Sequence, residues 1–180
     1  MPQALLIVAA AVILGLLGLS RHEARARDHR ALEQQEIEAV ALRMAERWAG
    51  AARDLAFDEA DIARDEIRLR NDVAGLSSRL GPDAGETAAD PRTFDDVDDY
   101  HGFTRTEAVP VGAGVGTVDL EVRVEVAYAR SSDWSPLGTA STAKLAVVTV
   151  REAGAQERGR PAVQVTLPVR FTPAQQFVRQ

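Results

Sequence analysis

Ala4-Leu-Leu-Ile-Val-Ala-Ala-Ala-Val-Ile-Leu-Gly-Leu-Leu-Gly-Leu19 is an unbroken run of 16 apolar and glycine residues, and a long charged stretch with helical spacing follows it directly. A segment with no polar side chain on any face has no solvated side, so it is not an ordinary surface helix of a small domain. Crossing a bilayer takes about 20 residues, and Met1, Pro2 and Ser20 extend the run through the interface. The reading is an uncleaved membrane anchor over residues 1–20, carried by Leu5, Leu6, Ile7, Val8, Val12, Ile13, Leu14, Leu16, Leu17 and Leu19. A cleaved signal peptide wants a basic stretch ahead of the apolar one, and none precedes Ala4; the nearest small-x-small site, Ala24-Arg-Ala26, lies among charges. Burial of the run against a protein partner is the third reading, and it overlaps with the first where anchored helices pack against one another.

Outward from the anchor, residues 21–80 read as an amphipathic helical stem. Ile37, Val40, Met44, Trp48 and Leu55 recur at helical steps and make one apolar stripe for packing or assembly. The stretch near Trp48 and Leu55 is expected to pack beneath the C-terminal part of the chain, and the stretch nearer the anchor to meet other subunits. No proline occurs between Gln3 and Pro82, and Ala, Leu, Glu and Arg dominate, so anchor and stem can form one rod. Gly50 and the Leu55-to-Asp58 stretch are places for a break. Beyond Asp58 the helix is expected to resume weakly through Ile62, Ile67 and Leu69, and Gly81-Pro82 to stop it.

Residues 81–102 are an acidic loop. Its core, Phe94-Asp-Asp-Val-Asp-Asp-Tyr-His-Gly102, spaces Phe94, Val97 and Tyr100 by three, which pins one side of a short turn to the core and sends Asp95, Asp96, Asp98 and Asp99 outward. Four carboxylates on a short loop are a candidate calcium site, since calcium takes six to eight oxygens. The spacing does not match the helix-loop-helix calcium signature, and a solvated acidic turn is the reading preferred over a metal site. From Phe103 onward, over residues 103–172, the pattern is antiparallel sheet. Val118, Leu120, Val122, Val124, Val126 and Tyr128 alternate with polar residues, the mark of a strand buried on one face only. Lys144 to Arg151 is apolar on both faces and suits a central strand. Val163 to Phe171 alternates again, and Pro168 puts it at an edge. The glycines at 112, 114 and 116 read as a hairpin connection, and residues 173–180 as a tail. The fold class is therefore α+β, a long N-terminal helix packed on a small antiparallel sheet.

Composition narrows the function classes. The chain has 180 residues, no cysteine and a net charge of −6, so disulfide frameworks and thiolate chemistry are excluded. Between Glu86 and Asp133 there are eleven acids against four bases, the opposite of the basic footprint that a nucleic-acid binder needs. His101 beside Asp99 suggests a base with an orienting acid, but no serine or threonine is placed as a nucleophile. His22 and His29 sit in a basic cluster with Arg21, Arg25, Arg27 and Arg30 next to the apolar run. No catalytic set and no cofactor motif emerge, so the chain reads as a non-enzyme without a cofactor.

The order of segments resembles type IV pilins and the pseudopilins of type II secretion, and most closely minor pilins of the mannose-sensitive haemagglutinin and PilV-like kinds. The segments that carry the resemblance are Ala39-Val-Ala-Leu-Arg-Met-Ala-Glu-Arg-Trp48, the acidic phrase Phe94 to Gly102, the strand Val122 to Tyr128, and Lys144-Leu-Ala-Val-Val-Thr-Val150. The resemblance implies a structural subunit of a surface filament or secretion assembly, whose partners are the lipid bilayer and other pilin-like subunits or membrane platform proteins. It implies a single pass through a bacterial inner membrane with the sheet domain periplasmic or extracellular. Arg21 to Arg30 point to the opposite orientation if read by charge alone. The prepilin cleavage motif, with its glycine and its glutamate early in the mature helix, is not found before Glu23. The alternative is a membrane-anchored, non-catalytic binding or adaptor domain acting outside a filament.

Overall fold

The computed structural model describes residues 2–62, 68–69, 72–112, 116–158 and 161–173, with side chains described from Gly15 onward except at 16–18, 23–24, 26 and 158. Helix α1 runs Pro2–Arg53, 52 residues, or about 78 Å at 1.5 Å per residue. A one-turn helix α2, Glu59–Ile62, follows it. Four strands then make a sheet: β1 Phe103–Val111, β2 Gly116–Tyr128, β3 Lys144–Glu152 and β4 Gln164–Phe171. Their order in space is their order in sequence, and every pairing is antiparallel.

The expected α+β class and all four expected strands are present. Strand β3 lies inside the sheet and β4 at its edge, where Pro168 pairs with Val147 and is exposed. The alternation in β2 produces one buried face, Val118, Leu120, Val122, Val124, Val126 and Tyr128. The register sets Val122 opposite Val150 and Val124 opposite Val148, so β2 and β3 supply the centre of the core. The β1–β2 hairpin turns at Gly112, whose φ of 63° is the left-handed region that glycine adopts without a Cβ penalty. Gly112 also donates its N–H to Glu36 at 3.0 Å, tying the hairpin to the helix; the expected role of Gly114 lies outside the described residues.

The C-terminal part of α1 lies across the sheet, mainly against β3 and β4. Ile37, Met44 and Trp48 are buried there, and Val40 and Leu55 are partly buried against the same core. This corrects the expected division of the stripe: Ile37, the residue nearest the anchor, is fully buried within its own chain rather than left for other subunits. The reason is the alanines between the large residues. Ala41, Ala45, Ala49 and Ala52 are almost wholly buried, and so many small side chains on one face let about the last four turns of the helix lie close to the sheet. Before Ile37 none of the described side chains is buried, and Leu19 and Leu32 are about 60% exposed.

The helix ends at Arg53, close to the expected break; among the described residues from there to residue 80, only the single turn of α2 is helix. Asp54 and Leu55 donate to the carbonyls three residues back, Ala51 and Ala52, the tightening that closes a helix end. Ala56 then pairs with the acidic loop: its N–H donates to Asp95 O at 3.0 Å, and Val97 N–H donates to Ala56 O at 2.9 Å. A backbone committed to that bridge cannot carry on an i→i−4 ladder. Ile62 and Leu69 are exposed rather than aligned on a buried side, and Ile67 lies outside the described residues. Of the anchor residues, Leu5 to Leu17 lie outside the described side chains; among the described residues, no helix is long and apolar enough to cross a membrane.

Candidate functional site: a buried lysine in a carboxylate cage

Lys144 is the first residue of β3 and shares the inward phase of Ala146, Val148 and Val150. Its side chain is therefore driven under the sheet, where it is 0% exposed. An unpaired ammonium there costs several kcal/mol, so the surroundings must supply acceptors, and they come from two separate segments. Phe57 O lies 2.6 Å from Nζ and Asp58 Oδ2 lies 2.8 Å away, both just after α1. Asp98 Oδ1, from the acidic loop, lies 2.5 Å away. The rings of Phe57 and Tyr128 wall the site, with centroids 4.5 and 5.0 Å from Nζ.

Asp58 is held from all sides. Its oxygens accept the N–H of Ala60 and Ser77, the Ser77 hydroxyl and the Tyr128 hydroxyl at 2.9 Å, besides Lys144. Burial acts to raise its pKa, but the Lys144 charge and the hydrogen bonds from Lys144, Tyr128 and Ala60 outweigh that, and the carboxyl lies below its ordinary value. Tyr128 is pushed the other way, first by burial and then by the neighbouring Asp58 and Asp98 charges.

The aspartates of the acidic phrase do not point outward, as the sequence pattern suggested. Phe94, Val97 and Tyr100 do anchor the loop on the core, where Phe94, Tyr100, Phe103 and Trp48 stack edge-on or tilted. Yet Asp96, Asp98 and Asp99 are each 3% exposed or less, and only Asp95 is exposed. The loop solvates its own carboxylates: Asp99 Oδ2 accepts the N–H of both Asp95 and Asp96 at 3.1 Å, and Asp96 Oδ1 accepts that of Asp98 at 2.6 Å. Burial still dominates and raises Asp96 to about 6 and Asp98 to about 7, with Lys144 pulling against it in both. Asp99 rises to about 8, from burial and then from its contact with the Glu86 carboxyl.

Glu86, Asp95 and Asp99 each bring a carboxylate oxygen within 4.8 Å of the others. This group, rather than Asp95, Asp96, Asp98 and Asp99 together, is where a hard cation can be held; Asp96 and Asp98 are turned to the lysine side of the loop. The cluster carries its own repulsion: Glu59 and Asp95 are also raised, each by burial first and by acidic neighbours after it.

His101 does not pair with Asp99. Its Nδ1 accepts the Val126 N–H at 3.3 Å and lies 3.7 Å from Glu125, so the suggested acid–base pair does not form. One surface cleft is lined by Trp48, Ala51, Asp90, Arg92, Tyr100 and Arg105. A second buried cation, Arg68, is held by Asp61 at 2.7 Å and by the carbonyls of Asp72 and Ala74. Sequence reasoning missed Asp58, Tyr128, Glu86 and Lys144 as a group. The one readable signal was phase: a lysine in step with Ala146, Val148 and Val150 has to enter the core. No protein-family model, no curated protein and no solved structure matches this chain.

Proposed function

We propose that this chain is a structural, pilin-like or pseudopilin-like subunit of a membrane-anchored surface filament or secretion assembly, with its sheet domain outside the cytoplasmic membrane. The observation that carries the reading is the continuity of α1. One 52-residue helix begins in the apolar run and ends on the four-stranded sheet, so the sheet domain is held at a set distance from whatever the first part of the helix enters. The buried lysine cage fits a structural part: it ties the end of the helix, the acidic loop and the central strand together, and its Lys144, Asp58 and Asp98 side chains are buried. The burial of Ile37 and Met44 within the chain favours a second reading, a membrane-anchored binding or adaptor domain, because it removes those stripe residues from contact with other subunits.

The test is disulfide cross-linking in the native host with cysteines at Leu19, Leu32 or Leu42, which are exposed on the helix, and a C-terminal tag probed for accessibility. Self-links or links to pilin-like partners with the tag outside support the assembly reading. A tag outside with no links favours the adaptor. A cytoplasmic tag rules out the pilin-like topology.

A further inference from the structure

Asp98 is the one member of the cage whose contact with Lys144 is not a hydrogen bond. Nζ lies 2.5 Å from Oδ1, inside the roughly 2.7–2.9 Å of a charge-assisted N–H···O contact. Even so, neither Asp98 oxygen has a hydrogen-bond partner, so the nitrogen meets the carboxyl obliquely rather than along an aligned N–H. Asp58 differs on both counts: it is a fully hydrogen-bonded, anion-stabilised carboxylate, a poor electrophile that stays ionised and so is free to take a proton from the protonated nitrogen of an adduct. The lysine and Asp98 side chains are 0% and 4% exposed, and two aromatic rings close the space around Nζ.

We propose that Lys144 and Asp98 condense into an intramolecular isopeptide bond between Nζ and Cγ, with Asp58 as the proton carrier. The ammonium first passes one proton to the Asp98 carboxylate, leaving a free amine against a neutral carboxylic acid. The nitrogen lone pair then attacks Cγ and the carbonyl electron pair moves onto oxygen. A second proton moves from nitrogen to Asp58 and from Asp58 to the Asp98 hydroxyl. As the carbonyl reforms, the C–O bond breaks and water leaves. An ammonium and a carboxylate become an amide and one water; Asp58 ends as it began, and nothing is oxidised or reduced. Water-poor, aromatic surroundings favour the neutral reactants and hold back the reverse hydrolysis. The bond welds the central strand to the acidic loop, a covalent staple in a chain that has no cysteine. It is independent of the filament reading, since any domain that carries mechanical or proteolytic load gains from it.

The experiment is tryptic digestion of the fully denatured full-length protein followed by tandem mass spectrometry. Residues 93–105 and 131–151 are expected as one joined species, lighter than the two peptides by one water, with no cleavage after Lys144 and fragments placing the link on Asp98. Separate unmodified peptides with cleavage after Lys144 overturn the proposal, and so does a link to Asp95, Asp96, Asp99 or Asp58. The wild-type digest decides the matter even if variants fail to fold. Where they fold, Asp98→Ala gives only separate peptides. Asp58→Asn slows formation by about 100-fold or more, the scale of a lost general acid–base; an unchanged rate removes Asp58 from the mechanism.

Discussion

Lys144 and Asp58 stand 86 residues apart in sequence and 2.8 Å apart at their charged atoms, with neither side chain exposed. The pair joins the first residue of the central strand to the segment that leaves the helix. It adds an ionic tie to the apolar packing of Ile37, Met44 and Trp48 on the sheet. A buried pair of this kind adds little net stability compared with an apolar replacement of both partners, but losing one partner strands the other.

Lys144→Met is therefore expected to destabilise the fold by about 3–5 kcal/mol, read by chemical denaturation. Combining it with Asp58→Asn is expected to recover part of that loss, because the Asp58 carboxylate is then no longer left buried without its partner. Strictly additive losses in the double variant would show that the two side chains do not interact.

Stability is expected to fall as pH rises from mildly acidic to mildly basic. Asp96 and Asp99 have folded pKa values near 6 and 8, against about 3.9 in an unfolded chain. The folded state thus binds their protons more tightly, and the stability they contribute is full below about pH 4 and lost as pH climbs through those folded values. Asp98, near 7, adds to the trend only while it remains a free acid. Asp58, with a lowered pKa, acts oppositely and only at pH below the ordinary carboxylate range. Melting temperatures across this window test the sign; a curve that rises with pH would contradict it, and Asp99→Asn is expected to flatten the upper part.

Glu86→Gln is expected to stabilise the fold slightly at pH 8 in the presence of a chelator, by up to about 1 kcal/mol, read as a higher melting temperature. It removes one of three carboxylates that lie within 4.8 Å of one another, while the amide oxygen still accepts the Asp83 N–H. Repeating the measurement with added calcium separates bare repulsion from a bound cation. A held cation reverses the sign, since the wild type then gains a ligand that the variant lacks.

Ala45→Leu tests the closeness of helix and sheet. Ala45 is 0% exposed on the face of α1 that meets the core, and forcing extra methylenes into such a contact typically costs about 1–3 kcal/mol. Ala39→Leu, on the exposed face of the same helix, is expected to be close to neutral. Equal effects at both positions would mean that the helix does not pack as described.

The strands were legible because each is half-buried, and a period of two prints directly onto residues such as Val118 to Tyr128. The helix was legible through its apolar stripe; its end was legible only as one of two places for a break, since helix formers continue beyond Asp58. Phe94, Val97 and Tyr100 were legible as anchors of the acidic loop because their spacing matches a single turn.

What sequence determined by itself, then, is local: which segments are helix or strand, which faces are apolar, and the α+β order of the chain. The fate of the acidic phrase was decided only by tertiary structure. Four aspartates in five positions read as solvated because nothing local neutralises them. Their counter-charge arrives from Lys144, and the N–H groups that solvate them from a loop conformation held by Ala56. The same holds for the alanines of α1: their value lies in how near the sheet can come, a property of two elements and not of one. Periodicity reports the environment of a single segment, whereas charge compensation and close approach exist only between segments that folding has brought together.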